Sequence, residues 1–173
     1  MIQQVEFTLK ARSRGFHLIT EEVLKHLPAL PETGLLNLFV KHTSCALSIN
    51  ENYDPSVRGD MERIYNRLIP ENESYYQHTD EGSDDMPSHA KCSLTGVSLT
   101  IPVTNGRLNL GTWQGIYLCE FRDYGGPRKI RMNPVASVAW MKIARRISFC
   151  ICNEVFMDIP TDYVLSGYLF CVI

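Results

Sequence analysis

The stretch Val97–Arg122, VSLTIPVTNGRLNLGTWQGIYLCEFR, decides the fold class. Val97, Leu99, Ile101 and Val103 alternate with Ser98, Thr100 and Pro102, the period-two pattern of a half-buried strand. Asn105-Gly106 is a two-residue hairpin signal, and Arg107 to Leu110 forms the return strand. Gly111-Thr112-Trp113-Gln114-Gly115 interrupts before a further strand over Ile116 to Arg122. There Ile116, Leu118 and Glu120 share one side, and Tyr117, Cys119 and Phe121 the other. Glu120 is therefore a carboxylate in a strand that is apolar on both faces. Burying it calls for a cation, a metal or a substrate donor. An ordinary ion pair with an arginine would satisfy it equally well.

Upstream, Val5, Phe7 and Leu9 alternate with polar residues as a first strand, and Gly15 breaks it before a short second one over Phe16 to Ile19. Thr20 is placed to cap a helix over Glu21 to Leu27, which Pro28 and Pro31 end. Leu35 to Lys41 has apolar residues on both faces and reads as a central strand. His42 follows Leu36, Leu38 and Val40 at period two and points to their side. It is either a satisfied core histidine or a ligand. The run HTSCALSINEN, residues 42–52, surrounds it with hydrogen-bonding groups that a purely structural strand end does not need. Asp54-Pro55 then caps and opens the clearest helix, whose Val57, Met61, Ile64, Tyr65 and Leu68 predict a core-covering face.

Gln77–Lys91, QHTDEGSDDMPSHAK, is a loop punctuated by Gly82, with Asp85 placed to cap a helix over about Pro87 to Thr95 and Gly96 as its stop. His78 and His89 stand at its two ends. Two imidazoles so held can converge on one divalent ion. A solvated acidic loop with surface histidines is the plain alternative. Gly125-Gly126-Pro127-Arg128-Lys129 is a basic turn that, with Arg107 and Arg122, supplies positive charge for an anionic ligand.

The bulk numbers narrow the classes. A chain of 173 residues with 45% hydrophobic and 21% charged content suits one soluble domain with a proper core. A net charge of −2 and no Lys/Arg run leave no footprint for nucleic acid. The six cysteines are scattered through apolar segments, which reads as buried free thiols in a reducing compartment. The N-terminus lacks the apolar core of a signal peptide, so an intracellular, cytoplasmic protein is expected. Nucleotide-binding loops, serine elbows and zinc-protease helices are absent from the sequence.

HTSCALSINEN with Asp54-Pro55, then HTDEGSDDMPSH, then SLTGVSLTIPVTNGRLNLGTWQGIYLCEFRDYGGPRK, together resemble the YjbQ-type family, whose members are also called secondary thiamine-phosphate synthases. The resemblance runs from about residue 2 to about residue 131. It implies an α+β fold, a compact β-sandwich or barrel-like sheet with two or three short helices, assembled as a homotrimer. It implies a pocket in which His42, His78 and His89 hold a divalent metal, zinc or magnesium, with Glu120 and Gln114 close by. Ser44, Asn50, Arg107 and Arg128 are the accompanying ligand-binding candidates. The implied reaction joins a pyrimidine diphosphate to a thiazole phosphate, a secondary activity on small phosphorylated heterocycles. The same pocket would equally suit a zinc-dependent hydrolase with Glu120 or Glu81 as base, or a non-catalytic metal- or ligand-binding trimer.

Residues 132–173 depart from that pattern. Ile130-Arg131-Met132-Asn133-Pro134 breaks the expected final strand, a helix is predicted over 136–147, and 148–156 and 163–173 are apolar and cysteine-bearing. Neither run approaches the ~20 residues that span a bilayer. The expectation is a YjbQ-like domain over 1–131 and a divergent tail that replaces the closing strand, leaving an unpaired sheet edge and impaired trimerisation.

Overall fold

A computed structural model describes residues 4–136 of the chain. Eight strands and three helices follow in the order β1 (Val5–Leu9), β2 (Gly15–Leu18), α1 (Thr20–His26), β3 (Thr33–Val40), β4 (Cys45–Glu51), α2 (Pro55–Leu68), α3 (Asp85–Thr95), β5 (Ser98–Thr104), β6 (Arg107–Leu108), β7 (Gln114–Glu120) and β8 (Arg128–Ala136). They build a five-stranded sheet ordered β1-β8-β3-β5-β6 and a three-stranded sheet ordered β2-β7-β4. Every pairing is antiparallel.

The sheets enclose the main core. Phe7, Leu9, Leu36, Leu38, Val40, Ile101, Val103, Ile130 and Met132 of the larger sheet pack with Cys45, Leu47, Ile116 and Leu118 of the smaller one. On the other side of the smaller sheet Phe16, Ala46, Tyr117, Cys119 and Phe121 meet Cys92 of α3, with Met61 and Tyr65 of α2 against them. The two-sided pattern of β7 is thus the signature of a middle layer, with a sheet on one face and helices on the other. The fold is α+β, a sandwich with a helical third layer.

Asn105 and Gly106 adopt φ of 52° and 69°, as the hairpin reading requires. Asp54 caps α2 by accepting the Ser56 N–H at 2.8 Å. Cys45, Cys92 and Cys119 are free and buried, and burial pushes the Cys45 thiol up to about 12. Among the described residues no helix is long and apolar enough to cross a membrane.

Four local readings are corrected. Thr20 does not cap α1; its Oγ1 accepts the Ile116 N–H at 2.9 Å and ties the helix start to β7. Asp85 is not a cap either; it is the first residue of α3, and Asp84 precedes it as N-cap. The face of α2 covers less than its pattern promised, since none of its residues is fully buried. The polar run 42–52 contains a whole strand, β4, in register with β7 from Cys45 opposite Glu120 to Glu51 opposite Gln114.

The closing strand is also present. β8 lies between β1 and β3, pairing Met132 with both Val5 and Leu38 and continuing to Ala136 opposite Gly34. Arg128, Ile130, Met132 and Pro134 face inward at period two, so Asn133-Pro134 continues the pattern instead of breaking it. The compact unit accordingly reaches residue 137, not 131, and β8 is no unpaired edge. The expected helix over 136–147 and the apolar runs 148–156 and 163–173 lie outside the described residues, apart from Ala136 in β8.

Candidate metal centre

The first turn of α3 places Asp85 and His89 at i and i+4, hence on one face. The preceding loop brings His78 to the same point. His78 Nε2 lies 2.7 Å and His89 Nε2 3.4 Å from Asp85 Oδ2, and one donor atom from each of the three falls within 4.8 Å of the others. The two rings are 5.6 Å apart and tilted by 52°. Asp85 is 1% exposed, and among the described residues the groups that face its Oδ2 are these two imidazole nitrogens, neither aligned for a well-formed hydrogen bond. A buried carboxylate oxygen is costly unless a cation meets it, and here that cation is either an imidazolium or an ion shared by all three side chains.

The surroundings set these ligands in place. His89 Nδ1 lies 3.0 Å from the Thr43 carbonyl, which can only accept, so Nδ1 carries the ring proton and Nε2 presents its lone pair. Arg122 donates from Nη1 to Asp85 Oδ1, from Nε to Asp84 Oδ2 at 3.1 Å, and from Nη2 to the Glu81 carbonyl at 2.8 Å. Burial works against ionisation of Asp84, but the Asp123 N–H and Arg122 outweigh it and hold the carboxyl below the usual range. Arg122 therefore staples the loop and aims the second oxygen of Asp85. Two imidazoles and one carboxylate are the donor set of an open catalytic zinc site or a facial triad, and are poor in the oxygens magnesium prefers.

His42 does not join this group. Its Nε2 accepts the Lys129 N–H at 2.9 Å, which puts the ring proton on Nδ1, 3.3 Å from Arg128 Nη1. With one nitrogen holding β8 and the other against a guanidinium, no lone pair remains for an ion. Burial, aided by Arg128, moves its pKa below the ordinary histidine value. It stays near the centre only as a wall: His42, Thr43, His89, Cys92 and Ser93 line one cavity of about 480 Å³.

Glu120 has the plain answer foreseen for it. Arg128 grips it with Nε to Oε2 at 2.7 Å and Nη2 to Oε1 at 2.6 Å, and the Arg122 N–H adds a third bond at 3.1 Å. Arg128 Nη2 also reaches Ser44 Oγ at 3.1 Å. Both charges are buried, so neither Glu120 as a base nor Arg128 as an anion ligand is available, and Ser44 supports the knot.

The remaining candidates lie apart from the centre, save one. Gln114 opens β7 while Glu120 closes it, about 20 Å away by strand rise. Gln114 Oε1 accepts the Gly111 N–H at 2.8 Å, Asn50 Oδ1 accepts the Glu51 N–H at 2.8 Å, and both line a cavity with Tyr53 and Trp113. Arg107 is exposed at the β5–β6 hairpin. Only Glu81, exposed, with Oε2 3.9 Å from Arg122 Nη1, stands beside the His78–Asp85–His89 cluster. Asp85, read in the sequence as a cap, is the cluster member that reading missed, and Arg122, read as positive charge for an anionic ligand, is engaged instead with Asp84, Asp85 and the Glu81 carbonyl. The i, i+4 spacing of Asp85 and His89 was the available signal.

Comparison with known proteins follows the same boundaries. The family model described as UPF0047 protein YjbQ-like matches residues 5–137. The UPF0047 protein YjbQ of Salmonella typhimurium is 57% identical over 132 residues, covering 75% of this chain and 95% of that one. A UPF0047 protein of Archaeoglobus fulgidus is 34% identical over 130 residues, 74% of this chain and 96% of that one. The crystal structure of a conserved hypothetical protein from Thermus thermophilus superposes with a TM-score of 0.67 at 35% identity, covering 76% of this chain and 99% of the other. Strands, helices and sequence agree over one span, and the chain belongs to the UPF0047 protein YjbQ-like family.

Proposed function

We propose that the protein is a divalent-metal-dependent transferase acting on small phosphorylated heterocycles, with zinc the metal its donor set favours. The observation that carries this reading is the convergence of the buried Oδ2 of Asp85 with Nε2 of His78 and of His89, donor atoms that lie within 4.8 Å of one another. A bound ion there would act as a Lewis acid and clamp for a diphosphate leaving group. Asp85, His78 and His89 would hold it, with the Thr43 carbonyl fixing the tautomer of His89 and Arg122 keeping Asp85 aligned. The ring nitrogen of the thiazole phosphate attacks the pyrimidine-bearing carbon, and that carbon's bond to diphosphate oxygen breaks with the electron pair. Such an attack needs alignment more than a strong base, which is consistent with Glu120 being engaged elsewhere.

A hydrolase is the second reading, favoured by one observation: Glu81 is an exposed carboxylate on the loop that carries the ligands. Incubating the purified protein with the two thiamine precursors, with and without chelator, separates the two. The transferase reading expects thiamine phosphate and pyrophosphate in equal amounts, abolished by chelator and by Asp85→Asn. Release of pyrophosphate without thiamine phosphate would favour the hydrolase, and turnover unaffected by chelator would remove the metal from the account.

A further inference from the structure

We infer that a cleft beside the candidate metal centre, walled by Leu68, Tyr75 and Met86, is the subsite for the aromatic ring of the substrate class proposed above. The inference rests on the metal reading only for the anionic end.

Leu68, at the end of α2, and Tyr75, in the loop that follows, are 65% and 71% exposed, large apolar side chains left in water. They wall a cleft of about 560 Å³ with Tyr76, His78 and Met86. That volume falls in the range of small-molecule sites. His78 belongs both to this cleft and to the metal group, so an occupant of the cleft sits directly beside the ion. Tyr76, His78 and Met86 also wall a second cavity of about 390 Å³, lined as well by Asn72, Glu73, Ser74, Thr79 and Ser83. An apolar compartment and a polar one, which carries Glu73 among its hydroxyls and amide, thus share Tyr76, His78 and Met86. A ligand with an aromatic body, a hydrogen-bonding substituent and an anion on the metal matches all three surfaces.

The cleft is held in shape before anything binds. Tyr76 donates its hydroxyl to the Pro70 carbonyl at 3.0 Å, Ser83 Oγ donates to Glu71 Oε2 at 2.6 Å, and Arg14 pairs with Glu71. Tyr75 and Tyr76 meet edge to face at 4.8 Å, leaving Tyr75 to offer a flat surface at low entropic cost. Met86 supplies an adaptable thioether for contact with a ring.

The test compares benzyl phosphate with methyl phosphate, which share the anion and differ in the ring, by calorimetric titration of the zinc-loaded protein. Wild type should bind benzyl phosphate roughly tenfold tighter or more, the order expected of one well-stacked ring. Tyr75→Ala and Leu68→Ser, both at exposed positions, should reduce that preference to about twofold or less with unchanged zinc content. No ring preference in wild type, or one that survives both substitutions, would overturn the inference. So would a change in assembly mass by light scattering in Tyr75→Ala without any effect on the titration, which would make the cleft a contact between copies of the chain. Asp85→Asn distinguishes the two readings: ring preference that persists while zinc content is unchanged would sink the metal site and leave the aromatic cleft standing.

Discussion

Asp85 looks in the sequence like any helix cap, and its one-step displacement into the helix changes its role. As a cap its carboxylate would meet backbone N–H groups; as the first residue of α3 it is buried, held by Arg122 on one oxygen and facing His78 and His89 with the other. Arg122→Met should therefore weaken metal binding by about 10- to 100-fold, the usual cost of losing a partner that orients a ligand. A competitive chelator titration would measure it, and an unchanged affinity would show that Arg122 only staples the loop. His42 yields a pH prediction. Its pKa is lowered from 6.5 by burial and Arg128, so between the folded value and 6.5 the unfolded chain binds the proton and the folded one does not. This contribution lowers stability as pH falls through that window. Tm should drop on acidification below about 6.5, and His42→Gln should flatten the drop; parallel Tm profiles in the two proteins would contradict it.

At the scale of elements, regular alternation was readable and polar or proline-bearing strands were not. β5 and the hairpin turn stand where their periods place them, because alternation reports burial directly. β7 (Gln114–Glu120) begins and ends two residues ahead of the expected 116–122, taking in Gln114 and Gly115 from the break. β4 was hidden since its half beyond Leu47 faces partly outward and carries Ser48, Asn50 and Glu51. β8 was hidden by Asn133-Pro134 and by Arg128, a buried charge at an inward position whose partner, Glu120, no local pattern reveals. The same ion pair explains Gly125 in the turn between β7 and β8. A Cβ there would collide with Arg128 Nη2 and lie 2.6 Å from Glu120 Oε1, and neither charge can leave its partner cheaply. Gly125→Ala should destabilise by about 1–3 kcal/mol, the usual range for overpacking a core. A chemical denaturation midpoint equal to wild type would show that the turn relaxes freely.

Across the whole molecule, three layers bring distant segments together in a way spacing alone cannot forecast. Two of the three histidines foreseen as ligands do converge, because one loop and one helix carry both. The third lies on the β3–β4 connection, where β8 claims it first. Gln114 and Asn50 were grouped with these residues by motif, yet β4 and β7 carry them to the opposite end of the smaller sheet. The compact unit, the family match and β8 all end by residue 137. A chain cut after Ser137 should therefore unfold cooperatively with a β-rich circular dichroism spectrum; a non-cooperative transition would mean that the unit needs residues 138–173.

The most direct measurement is zinc stoichiometry, by elemental analysis, in wild type and in His42→Ala, His78→Ala, Asp85→Asn and His89→Ala proteins of verified fold. The account predicts near-equal zinc in wild type and His42→Ala, and a loss of at least about tenfold in the other three. Retention in Asp85→Asn together with loss in His42→Ala would contradict it, and would return the site to three histidines.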